Sequence, residues 1–199
     1  MRKQEFISVS TAMTEGKSSL ILFAYDDIES IEYFHKPLRS YWNRNGKSIE
    51  TAIQEAADEY TVLKSKCDEF SASLFADAKT AGGEQYAEML ALTYRQVIAA
   101  HKLVLDENGE ILWISKECFS NGCAATVDVS YPSIPMFLLY NPELVKGMMR
   151  PIFKYAESKD WPFDFAPHDA GQYPLVNGQV YGGNKLEYQM PVEECGNLR

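Results

Sequence analysis

Residues 48–98 read SIETAIQEAADEYTVLKSKCDEFSASLFADAKTAGGEQYAEMLALTYRQVI, and this stretch decides the fold class. Ile49, Ile53, Ala56, Tyr60, Leu63, Cys67, Phe70 and Leu74 recur at steps of three and four. That spacing lays an apolar stripe along about seven turns of helix. Ser48 stands where an N-cap is needed, because its hydroxyl can accept from a first-turn N–H that has no partner inside the helix. Ala81-Gly82-Gly83 interrupts the stripe, and Tyr86, Met89, Leu90, Tyr94, Val97 and Ile98 begin a second one. Two long helices joined at a Gly-Gly turn predict an antiparallel αα-hairpin.

Downstream, Leu103-Val104-Leu105 and Ile111-Leu112-Trp113-Ile114 flank Asn108-Gly109, a strong β-hairpin signal. Ser133 to Leu139 and Pro142 to Lys159 read as further helices, the second with proline at its first position. From Trp161 to Gln189 the chain is rich in Gly, Pro, Tyr and Asn and reads as loop. So long a connection is uncommon in a compact domain unless it has a job, so it is expected to line a site. Pro191-Val192-Glu193-Glu194 then looks like the first turn of another helix, with carboxylates favoured at its N-terminus.

Upstream, Ser19 to Tyr25 is a short apolar, aromatic run bounded by Gly16 and Asp26-Asp27, and it reads as a strand. Ile28, Ile31 and Phe34 follow, up to Pro37. Two strands are marginal alone and must pack on something else. The expected organisation is a β segment over residues 1–40 and a helical domain over residues 41–199. A helix begun at Pro191 with the last residue at Arg199 reads as a piece of a longer chain.

The formal net charge of −9, without clustered Lys and Arg, argues against nucleic acid as a partner. A small-molecule substrate is expected instead. Cys67, Cys118, Cys123 and Cys195 contain no CxxC pair, and there are three histidines, so no metal and no cofactor are expected. Buried free thiols are the favoured reading, and a Cys118–Cys123 disulfide is the alternative. The longest apolar stretch, Leu20 to Tyr25, falls far short of a membrane span, and the first residues carry no targeting signal.

Several strings together resemble the glutaminase A family, in particular its six-hairpin domain. They include Ala24-Tyr25-Asp26-Asp27, Tyr41-Trp42-Asn43-Arg44-Asn45-Gly46, Phe119-Ser120-Asn121-Gly122-Cys123 and Val127-Asp128-Val129-Ser130-Tyr131-Pro132. The most specific are Phe165-Ala166-Pro167-His168-Asp169-Ala170-Gly171-Gln172-Tyr173-Pro174, Asn177-Gly178-Gln179-Val180-Tyr181-Gly182-Gly183 and Met190-Pro191-Val192-Glu193-Glu194-Cys195-Gly196-Asn197. The resemblance implies a mainly α fold: a partial (α/α)6 toroid with short N-terminal β-strands from a β-sandwich junction and a β-hairpin insertion. It also implies hydrolysis of L-glutamine to glutamate and ammonia, and an extracytoplasmic or secreted parent. A toroid lacking some of its hairpins would expose apolar helix faces through which chains could self-associate. Because glycoside hydrolases share this fold, a glycosidase remains the alternative, as does a non-catalytic fragment.

The candidate catalytic acids are Asp128, Asp169, Glu193 and Glu194. Glycoside hydrolysis needs two carboxyl groups across a pocket, and amide hydrolysis needs an activated water or nucleophile with donors for the oxyanion. Asp128 heads a predicted helix and could equally be a helix-entry carboxylate. His168-Asp169 could be a site pair or a loop-stabilising pair. Since Glu193 and Glu194 are adjacent, only one of them is expected to face a pocket. Candidate substrate-binding residues are Lys116, Glu117, Asn121, Tyr131, His168, Tyr173 and Tyr181, with Trp161 as a further aromatic platform or packing residue. Cys123 has no histidine near it in sequence and reads as a buried thiol. No GxSxG, Ser-x-x-Lys, GxGxxG or P-loop is present.

Overall fold

The computed structural model describes residues 16, 18–117 and 119–198. Helix α1 runs Ile49–Gly82, and the Ser48 hydroxyl accepts from the Thr51 N–H at 3.2 Å, as the sequence predicts. Gly83 separates it from α2, Glu84–Ala99, at φ 82°, a left-handed geometry that glycine adopts without strain. The two helices pack side by side, with Phe70 against Tyr94 at 5.3 Å and Tyr140 completing a three-ring cluster. The stripe on α1 is nonetheless largely uncovered: Ile53, Tyr60 and Leu63 are exposed, and Ala78 is the buried residue of that helix. Length explains this. With 34 residues against 16, α1 extends roughly 25 Å beyond the reach of α2, at 1.5 Å per residue.

Strands β3, His101–Leu105, and β4, Ile111–Ser115, form the predicted hairpin in the register Leu103↔Trp113. Asp106 Oδ1 accepts from the N–H groups of Asn108 and Glu110 and so holds the turn. Helix α4, Ile134–Tyr140, and helix α5, Pro142–Ala156, follow, with Asn141 Oδ1 capping α5 through the Glu143 N–H. Helix α5 lies directly on β4. At Gly147 an added Cβ would stand 2.9 Å from the Trp113 backbone nitrogen, and Arg150 donates to the Ile111 carbonyl at 2.7 Å.

A second sheet has the order β2–β1–β7–β6–β5, with β1 Ile31–Tyr33, β2 Lys36–Leu38, β5 Cys123–Ala124, β6 Gly171–Gln172 and β7 Leu175–Val176. Strand β1 pairs parallel with β7, so the N-terminal strands are tied to the long loop after Trp161. The strand expected at Ser19 to Tyr25 does not form. That segment pairs with nothing in either sheet, and Leu20, Ile21, Leu22, Phe23 and Tyr25 are exposed. Its apolar character signalled burial, but strand status needs a ladder partner, and the partner goes to Ile31–Tyr33. The main core gathers Ile31, Tyr33, Val104, Leu112, Ile114, Val127, Ile152 and Val176, where the two sheets meet α5.

Two short helices complete what the site needs. Helix α3, Val127–Ser130, leads into a 3-10 turn over Tyr131–Ser133, and α6, Pro191–Asn197, packs against α3. Among the described residues, no helix is long and apolar enough to cross a membrane.

The tightest backbone approach in the loop is at Gly171, with φ 153°. A Cβ there would sit 2.1 Å from the Leu175 carbonyl oxygen and 2.8 Å from the Val176 Cα. Both are backbone atoms that cannot rotate away. Gly171→Ala is therefore expected to destabilise the fold by about 2–3 kcal/mol, read as a lower urea midpoint. An unchanged midpoint would show that β6 and β7 can part without loss.

Candidate active site

The loop entering β6 is drawn onto the connection between β5 and α3 by two backbone bonds. Val127 N–H donates to the His168 carbonyl at 2.8 Å, and Ala170 N–H donates to the Ala124 carbonyl at 3.0 Å. These put His168 and Asp169 beside the first turn of α3, which carries Asp128.

Asp169 is wholly buried and saturated. Its Oδ1 accepts from the N–H groups of Gly171 (2.9 Å) and Val180 (3.1 Å), while Oδ2 accepts from Tyr181 N–H (3.2 Å) and pairs with His168 Nδ1 at 2.9 Å. The imidazole is fixed on its other sides as well. The Tyr181 ring stacks on it at 4.2 Å, and the Gln179 side chain accepts from the His168 N–H while donating to the Tyr181 carbonyl and to Gln189. Nε2 is thereby turned towards Asp128 Oδ1, 3.8 Å away. Burial works against the charged imidazolium, but the Asp169 hydrogen bond and the charges of Asp169, Glu194 and Asp128 outweigh it and hold the His168 pKa above its ordinary value.

Glu194 approaches from α6. It is 1% exposed, and neither carboxylate oxygen receives a well-formed hydrogen bond. Burial is the largest influence and pushes its pKa up to about 7. Asp128 and Glu193 add to this, His168 opposes it, and the nearby Asn197 side chain offsets it least. Glu117, which follows β4, brings a third acid. Its Oε2 is buried without a partner, and burial raises its pKa against the opposing pull of His168. The ligand-type atoms of Glu117, Asp128 and His168 all lie within 4.8 Å of one another.

The fold therefore gathers Glu117, Asp128, His168, Asp169, Tyr181 and Glu194 from four separate stretches of chain. Other candidates lie elsewhere. Glu193 is exposed on α6, and Tyr131 is exposed on its 3-10 turn. Asn121 shapes a turn, accepting from Cys123 N–H and Gln172 Nε2. The Lys116 ammonium lies over the Tyr173 ring at 5.5 Å. Trp161 is buried against Phe163 and Phe165, with its indole N–H on the Phe165 carbonyl, so it packs the loop.

Two corrections concern residues that sequence could not place. Cys123 does have a histidine nearby: its sulfur, a ring nitrogen of His168 and a carboxylate oxygen of Asp169 lie within 4.8 Å of one another. Burial pushes the thiol up to about 12, helped by Asp169 and Glu117, so the protonated, poorly nucleophilic form persists and the inert reading stands. Cys67 is an exposed free thiol rather than a buried one, because the α1 stripe on which it sits is uncovered. The disulfide alternative falls on Cys118, outside the described residues. Gln179, which braces His168, carries no chemical signal of its own in the sequence beyond lying in one of the strings that carry the family resemblance.

Comparison with known proteins gives this geometry a context. The model of the glutaminase A six helical-hairpin domain matches residues 83–199. The chain belongs to that family. Every residue of the cluster, from Glu117 to Glu194, lies inside the matched stretch, while residues 4–77 match a domain of unknown function, DUF5127. Similar curated proteins are glutaminase A of Aspergillus oryzae, 33% identical over 85% of this chain, and a probable glutaminase of Arthroderma benhamiae, 38% identical over 82%. The chain spans about a quarter of the first relative's length (25%) and less than a fifth of the second's (18%). No solved structure matches. The mainly α architecture expected of a six-hairpin member is present, with two side-by-side helix pairs, α1–α2 and α4–α5.

Proposed function

We propose that this chain carries the acid–base groups of a glutaminase A-type hydrolase that converts L-glutamine to glutamate and ammonia. One observation supports the reading above all: Glu194, buried and unpartnered, is held in the field of an imidazole that Asp169 and Tyr181 fix in place. A carboxyl group titrating near neutrality can give up a proton there, which is what a general acid must do. Amide hydrolysis needs that proton on the departing nitrogen, while water adds to the carbonyl carbon and loses its own proton to a base. Asp128, with a side chain 34% exposed, reaches solvent and can orient the water.

A glycoside hydrolase would employ two carboxyl groups in closely related roles, so substrate has to be decided by product. Ammonia release from L-glutamine is expected to exceed reducing-sugar release from α- and β-glycosides. Sugar cleavage with glutamine untouched would reverse the assignment.

A further inference from the structure

The cluster holds more unneutralised acid than its own chemistry accounts for. Glu117 Oε2, Asp128 Oδ1 and both oxygens of Glu194 are buried without hydrogen-bond partners, and the His168 imidazole is set among them. Taking a carboxylate out of water without a partner is strongly unfavourable unless it is protonated or meets a cation. The acids do not stand alone, because the imidazole is arranged as a ligand. Asp169 occupies Nδ1, so Nε2 is the nitrogen left to bind, and it points at the orphaned Asp128 oxygen. A carboxylate behind a histidine, fixing its tautomer and ring plane, is the usual outer support of a metal-bound imidazole. The alternative grouping of Cys123, His168 and Asp169 is unsuitable, since both Asp169 oxygens are already engaged by backbone N–H groups.

We propose that Glu117, Asp128 and His168 form a binding site for one divalent cation, with the buried carboxyl of Glu194 facing it. Two carboxylates and one imidazole, all within 4.8 Å of one another, suit a first-row ion such as Mn2+, which accepts both oxygen and nitrogen donors. Binding displaces the proton from His168 Nε2 and satisfies the orphaned Glu117 and Asp128 oxygens together. Such an ion would hold the attacking water, so the inference deepens the hydrolase reading and rests on it for the water's use.

The test needs no substrate. The chain is stripped with EDTA and titrated with MnCl2, following heat by calorimetry and free Mn2+ by electron paramagnetic resonance. One ion per chain is expected to bind saturably below ~100 μM, with proton release. A Glu117→Gln/Asp128→Asn double variant should weaken binding at least ~100-fold, whereas Glu193→Gln, on the exposed side of α6, should leave it unchanged. Circular dichroism checks that the double variant is folded. Binding that is absent below ~1 mM, or that persists in the folded double variant, overturns the site. Methylammonium binding that depends on the same two acids, with no Mn2+ binding, overturns it as well, since the orphaned oxygens would then serve an amine. Glutamine turnover takes no part in these readouts, so a failed substrate assignment and a failed metal site are told apart.

Discussion

Replacing Glu194 with glutamine is expected to lower turnover at least ~100-fold while making the fold more stable above neutral pH. The two effects have one origin. Glutamine cannot deliver a proton to a leaving group, and it also carries no charge that must be buried. The Glu194 pKa is raised from 4.5 to about 7, mainly by burial. A carboxyl with a raised folded pKa contributes its full stability below the unfolded value, near 4.5, and loses it as pH climbs to about 7 and beyond. At about 1.4 kcal/mol per pKa unit, the metal-free wild type should lose roughly 3 kcal/mol over that window. Glu194→Gln should escape that loss and show a higher urea midpoint than wild type at pH 8, with little difference at pH 4.5. A wild-type midpoint that stays level from pH 4.5 to 8 would take the buried charge out of the account. Turnover unchanged in the variant would leave Glu194 as a helix-entry residue.

The second large effect is structural. Asp169→Ala strips partners from the N–H groups of Gly171, Val180 and Tyr181 and from the His168 imidazole in one step. Each buried donor left unpaired costs about 1–3 kcal/mol, so a total loss of about 4 kcal/mol or more is expected. That is a large share of the ~5–15 kcal/mol that holds a typical domain together. Asp164→Ala, at an exposed position of the same loop, should shift the urea midpoint hardly at all. Equal midpoints for the two variants would mean that the loop is held by something other than Asp169.

Local features of this chain were legible because local chemistry sets them. The Asn108-Gly109 turn, the Gly82-Gly83 break and the prolines opening α5 and α6 each act on their immediate neighbours, and the elements they mark are present. Long-range pairing was not legible. Nothing in Ile31-Glu32-Tyr33 announces a parallel partner at Leu175-Val176, and Ser19 to Tyr25 carried the stronger strand signal with no partner to match it. The periodicity of the α1 stripe marks a helix but not its uncovered face, since periodicity reports a face and not what lies against it; the expectation of exposed apolar faces comes instead from the resemblance to a toroid lacking some hairpins. At the site, the residue types were visible in advance. Which of two adjacent glutamates turns inward depends on how α6 lies against α3, and the proximity of Cys123 to His168 depends on the β5–β6 pairing.

The pairing of β1 with β7 also bears on how the protein is made. The His35 N–H and its acceptor, the Asn177 side chain, are 142 residues apart, and the strands they flank are separated by about as much. At ~5–20 residues per second, a ribosome takes roughly 7–30 s to go from one to the other. Through that interval Ile31 and Tyr33 have no sheet to enter, and β1 with β2 is an isolated two-stranded ribbon of marginal stability. The αα-hairpin, built from neighbouring residues, is free to form during the wait. The nascent chain therefore spends seconds as a helical pair preceded by a strand edge that its own sheet has yet to cover.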